Sequence, residues 1–164
     1  MIERIASFID YFASIRRRTL TFVRAIPPDR LGWSPRPGEF TCGELVRHLA
    51  AAERMFVGAA IEGRWLYAGH IHDPQQSLDM LIAELEAVHT AALDRLRALP
   101  DADLVALRPT LDGPPVKAWR LLMALVEHEI HHRSQLGLYL ALMGVEPPQV
   151  YGLGVEDVIA RATG

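Results

Sequence analysis

The sequence predicts an all-α protein, a four-helix bundle with long connecting loops, and two observations carry that prediction. Apolar residues recur mostly every three to five positions along the long stretches, the repeat that lets a helix bury one face. Proline- and glycine-rich connections of about 10 to 18 residues separate them, long enough for crossovers beyond simple up-and-down neighbours. At 164 residues the chain is expected to form a single domain, 1–164.

The first helix is expected from Ile2 to Ile26, with Ile5, Phe8, Ile9, Phe12, Ile15, Leu20 and Val23 on its buried side and Pro27 and Pro28 as its stop. The following "PPDRLGWSPRPGEF" carries four prolines and two glycines and must run as a loop, one long enough that it is expected to cover something. Thr41 then opens the second helix. In "TCGE" the Thr41 hydroxyl is placed for the backbone of Glu44 and the Glu44 carboxylate can reach back, a capping box. That helix runs to about Glu62, before Gly63. The third, from about Gln75 to Leu99, has Leu78, Leu81, Ile82, Leu85, Val88, Leu93 and Leu96 as its apolar side. Between Pro100 and Lys117 an Asp-Gly turn signal lies between short apolar runs, giving a small hairpin or an extended crossover. The fourth helix is expected over Lys117 to Met143, closed by Gly144, Pro147 and Pro148, and "VEDVIARA" adds a short C-terminal helix. The fourth helix is apolar on two sides, so it needs two covers: its own bundle, and a crossover, a lid or a second subunit.

Composition excludes several function classes. A charged fraction of 23% and a net charge of −3, with no polybasic run, make nucleic acid an unexpected partner. The basic cluster Arg16, Arg17 and Arg18 points in three directions about 100° apart, so it is expected to be a solvated helix face and not a phosphate-binding stripe. The lone Cys42 excludes an intramolecular disulfide and a four-thiolate zinc site, and fits a reducing compartment. With no secretory signal and no apolar run of membrane-spanning length, a cytoplasmic protein with no membrane partner is expected.

The chemistry-bearing residues are histidines. His128 and His132 lie about 40° apart on the fourth helix, on a stripe shared with Leu121, Leu125, Leu136, Tyr139 and Met143. His48 shares its side of the second helix with Leu45, Ala52, Met55, Phe56 and Ala59. A single inward histidine is satisfied by one hydrogen bond in the core. Three on two helices need three such solutions, or one shared metal ion bound by an i, i+4 pair and a third imidazole from a facing helix. His131 turns toward the polar side, about 60° from His128, and is expected at the surface or behind a ligand. His70 and His72 form a loop H-x-H able to bind metal adventitiously, and His89 stands alone.

"HEIHH" also contains the H-E-x-x-H of zinc proteases, through His128, Glu129 and His132. The longer metzincin pattern needs a glycine and a histidine where this chain has Gln135 and Leu138, and the only downstream glutamates, Glu146 and Glu156, lie on no clear second helix. The protease reading fails. Glu129 and Glu53, turned about 60° from His132 and about 140° from His48, are expected to form solvated ion pairs. Cys42, at the first turn of its helix, is expected to have a lowered pKa from the helix terminus, and lies too far round the wheel to be a ligand.

Together, "WSPRPGEFTCGELVRHLAAAERMF" (33–56) and "EHEIHHRSQLGLYLALMG" (127–144) resemble the DinB and YfiT-like family of small metal-binding bundles, and the likeness extends over nearly the whole chain. Here the family's usual "HHRGQ" reads "HHRSQ", with Ser134 in place of glycine. The resemblance implies an up-down-down-up bundle, often a homodimer, with a divalent metal on three histidines that match His48, His128 and His132. Zinc or nickel comes first as the ion, then iron or manganese. Relatives of this kind include thiol-dependent S-transferases and an isomerase, so the resemblance implies a metal-dependent enzyme of thiol S-transferase type, acting on a small-molecule electrophile with a low-molecular-weight thiol. The rival expectations are a non-enzymatic stress-response or metal-stabilised structural protein, and a thiol-independent metal-dependent hydrolase. DNA polymerase chemistry is not implied, because no paired carboxylates are present for two magnesium ions.

Overall fold

The computed structural model describes residues 2–71 and 73–162. Helix α1 spans Ile5–Arg24, α2 Cys42–Glu62, α3 Leu78–Arg97, α4 Ala118–Leu142 and α5 Val155–Ala162. Single 3₁₀ turns occupy Pro28–Arg30 and Asp101–Val105. The candidate hairpin is real: strand β1, Leu107–Arg108, pairs antiparallel with β2, Val116–Lys117, and leads directly into α4. No described helix is long and apolar enough to cross a membrane.

Helices α2 and α3 start at local side-chain caps. The Thr41 hydroxyl accepts from the Glu44 N–H at 3.2 Å, and the Glu44 carboxylate accepts from the Thr41 N–H at 2.8 Å, so the expected capping box is complete. Gly63, at φ 72°, closes α2 in the left-handed region, where a side chain is strained. α3 begins three residues later than the periodicity predicts, because Ser77 caps it through Met80 N–H and Gln75 is held in a turn by Asp73.

Side-chain contacts give the helix directions. Arg24 meets Glu86, so α1 and α3 run antiparallel from the level of Arg16 and His89. On α2 and α3, Arg47 meets Glu84 and Glu62 meets Arg95, so these two are parallel. α4 runs beside α1 in the same sense, with Arg16 at Glu129 and Phe22 against Gly137. The result is the up-down-down-up bundle. α1 and α2 each pack on both α3 and α4, which places α1 diagonally opposite α2. A long connection between α1 and α2 follows from that diagonal step.

The core has two halves. One is built on Phe8, Phe12, Val57, Leu96, Leu122 and Leu125, the other on Val23, Leu45, Leu49, Leu85, Leu136 and Leu140. Between them, in the sequence of every long helix, sits a member of a polar layer: Arg16, Glu53, His89 and Glu129. Arg16 donates to both Glu129 oxygens at 2.9 and 2.6 Å, stands 2.9 Å from Glu53, and Glu53 accepts from His89 at 2.8 Å. Arg16, Glu53 and Glu129 are at most 1% exposed. This corrects three expectations at once. Arg16 is not part of a solvated face, Glu53 and Glu129 are not solvated pairs, and His89 is not isolated. Burial opposes the Arg16 charge, yet the two carboxylates together raise its pKa above the ordinary arginine value.

Candidate metal centre

α2 and α4 run antiparallel at the level of this polar layer, and that brings His48 against His128 and His132. The His48 Nε2 lies 2.9 Å from Nε2 of His128 and 3.1 Å from Nε2 of His132. Among the described residues these three form a group able to hold a metal ion, with their ligand atoms within 4.8 Å of one another. All three sequence-predicted ligands are therefore brought together.

The outward ring nitrogens differ. The His132 Nδ1 meets Gln135 Oε1 at 2.8 Å, and the Gln135 amide donates to the Tyr139 hydroxyl at 3.1 Å. The Gln135 oxygen thus accepts a hydrogen bond from His132 Nδ1–H, which leaves the Nε2 lone pair facing the triad. The His48 Nδ1 meets the Tyr67 hydroxyl at 2.7 Å, which also meets His70 Nδ1 at 2.7 Å. The His128 Nδ1 is buried without a partner.

These observations fit a divalent ion. For tetrahedral zinc with bonds near 2.05 Å, ligand nitrogens stand about 3.3 Å apart, so the observed spacings need only small ring rotations to open. Burial keeps the imidazoles neutral, as ligands must be. It is the main cause pushing His48 down to about 4 and His128 to about 3, helped in both by the neighbouring histidines. His132 is lowered too, first by burial, with the Gln135 bond opposing. Among the described residues no carboxylate joins the group.

Glu129 follows His128 but points about 100° away on the helix, to Arg16, so it is no general base for the triad. His131 is exposed, its ring edge-on to His132. Cys42 is no nucleophile: it is fully buried, and burial pushes its thiol up to about 11, against the expected lowering. Ser134 is exposed, so its extra atoms meet no packing constraint. His72 lies outside the described residues.

Around the triad stands an aromatic wall. Phe40, at the end of the proline-rich loop, lies 4.9 Å from the His48 ring, and Phe56 lies 5.7 Å from that of His128. The loop between α1 and α2 does cover something. His70 packs on Phe40 at 4.7 Å and is thus part of the surroundings of the site, no free loop histidine. Sequence reasoning missed Tyr67 and Gln135. The i, i+3 spacing of Gln135 from His132 was a usable signal; Tyr67, in an irregular connection, gave none.

A family model described as the DinB superfamily matches residues 11–136. The chain belongs to the DinB superfamily. Among relatives, the uncharacterized protein YjoA of Bacillus subtilis (strain 168) is 26% identical over 145 residues, spanning 83% of this chain and 88% of that one. The solved structure of a DinB-like protein from Bacillus cereus ATCC 10987 superposes with a TM-score of 0.77 at 22% identity, covering 91% of this chain and 99% of the other. That of YjoA gives 0.71 at 25% identity, over 88% and 96%. The up-down-down-up DinB bundle therefore accounts for both the diagonal α1–α2 step and the pairing of His48 with the α4 histidines.

Proposed function

We propose that this DinB-superfamily protein holds a divalent ion, zinc or nickel first, on His48, His128 and His132, and uses it in thiol S-transferase chemistry. The observation that carries the reading is the convergence of three Nε2 atoms, all on rings kept neutral, with no carboxylate among them. A neutral ligand set leaves a bound ion its full charge and an open position, the arrangement that lowers the pKa of a thiol and presents its sulfur as thiolate. In the reaction a carbon–sulfur bond forms at an electrophilic carbon. The leaving group departs with its electron pair, and the thiol proton goes to solvent. The protein's part is to aim the imidazoles and to supply, through Phe40 and Phe56, an apolar wall that excludes water and favours an apolar electrophile.

The test starts with chelator-stripped protein titrated with zinc or nickel, expected to bind one ion per chain. His48→Ala, His128→Ala and His132→Ala should each abolish tight loading. Cobalt-substituted protein given a low-molecular-weight thiol should show a thiolate-to-metal charge-transfer band, and conjugation of that thiol to 1-chloro-2,4-dinitrobenzene should need both. Absence of stoichiometric loading would sink the centre; loading without a thiolate band, together with thiol-free turnover of activated esters, would replace the transferase reading with the hydrolase one.

A further inference from the structure

Two of the three candidate ligands are oriented from behind, but by different kinds of partner. Gln135 orients His132 from the same helix, less than one turn away. His48 instead depends on Tyr67, in the irregular connection between α2 and α3. That connection is tied down at its start, where the Trp65 indole donates to Pro109 O at 2.9 Å and packs on Phe56 at 5.6 Å. Beyond it, Tyr67 is 42% exposed, and His70 packs on Phe40, which itself lies on His48.

The Tyr67 hydroxyl has one proton and two ring nitrogens at 2.7 Å, so both contacts are hydrogen bonds only if one of the two Nδ1 atoms carries a hydrogen. A ligating His48 needs its Nε2 lone pair free, which puts its proton on Nδ1. The order of donation is then fixed: His48 Nδ1–H to Tyr67 oxygen, and Tyr67 O–H to His70 Nδ1. We propose that Tyr67, held in place by His70, is the positioning residue that sets the tautomer and aim of His48, so that the α2–α3 connection helps determine metal affinity. The inference rests on the proposed three-histidine centre. It makes the His48 arm the one ligand whose orientation follows the position of a loop, whereas His132 stays fixed by its own helix.

The test is calorimetric zinc titration of stripped wild type, Tyr67→Phe, His70→Ala and the double variant, with Tyr11→Phe, an exposed tyrosine on α1, as control. Loss of an outer partner of a metal-bound histidine typically weakens binding about 10- to 100-fold. Tyr67→Phe should fall in that range with its melting temperature before metal addition unchanged, His70→Ala should lose less, and the double variant should match Tyr67→Phe, as a chain acting through one hydroxyl requires. Nitrogen NMR of the stripped wild type should place the His48 proton on Nδ1, and Tyr67→Phe should lose that preference, a signature that a merely structural tyrosine would not move. Wild-type affinity in Tyr67→Phe, or a His48 proton on Nε2, overturns the proposal while leaving the centre standing. A wild type that binds no zinc or nickel overturns both, and wild-type affinity in His48→Ala removes the ligand that Tyr67 is said to orient.

Discussion

Replacing Arg16 with methionine tests the polar layer most directly. Among the described residues Arg16 is the one cation paired with both buried carboxylates, with Glu53 at 2.9 Å and with Glu129 through hydrogen bonds of 2.9 and 2.6 Å. At an effective dielectric near 20, each attraction across about 4 Å is worth roughly 4 kcal/mol. Removing each ion from water costs several kcal/mol, so the intact set comes close to balance. Arg16→Met removes both attractions and leaves two buried carboxylates with only His89 and, beside Glu129, Arg133 for compensation. The expected loss is about 3–5 kcal/mol, the range for a buried pair deprived of one partner. Urea unfolding should read it as a lower midpoint at unchanged slope. Replacing Arg16, Glu53 and Glu129 together by methionine should recover most of the loss, because no uncompensated charge then remains. A loss below about 1 kcal/mol for Arg16→Met, as at exposed ion pairs, would show that water reaches the layer and would refute the reasoning.

Acid should destabilise the metal-free protein. His48 and His128 are held neutral in the fold, down to about 4 and about 3, and take up protons near 6.5 when unfolded. Stability is therefore complete above about pH 6.5 and lost as pH falls toward those folded values. Urea midpoints at pH 7 and pH 5 should show this, and the difference should shrink in His128→Asn. The buried Cys42 thiol, pushed up to about 11, should resist iodoacetamide in native protein and react once urea unfolds it; rapid native labelling would contradict its burial.

The triad was legible because helix geometry gives the direction in which each histidine faces. An i, i+4 pair shares a stripe, and the apolar neighbours of His48 show which way it faces. The polar layer is equally present on the helical wheels. Arg16 lies about 20° from Ile9 and about 40° from Phe12, Glu129 about 20° from both Leu122 and Leu140, and Glu53 about 20° from Val46. Each charged residue taken singly looked solvated. Read as one set, two acids and a base on three apolar stripes, with a histidine on the fourth, signal mutual burial. At Cys42 two effects compete, the helix terminus that lowers a thiol pKa and the burial that raises it, and burial wins. Tyr67 and His70 could not be placed, because no periodicity fixes the course of an irregular connection.

The polar layer and the triad are coupled by spacing. His128 and Glu129 are adjacent, so on a helix they point about 100° apart, one toward His48 and the other toward the bundle axis. Glu129 is clamped to α1 through Arg16, and Arg16 also meets Glu53 on α2, five residues after His48. The same guanidinium thus contacts both α2 and α4, the helices whose relative heights place His48 between His128 and His132. The glutamate of the H-E-x-x-H pattern contributes to the candidate centre without touching it. Its carboxylate bonds to Arg16, which also meets Glu53 on α2, so the glutamate ties together helices that carry the ligands and does not face the triad.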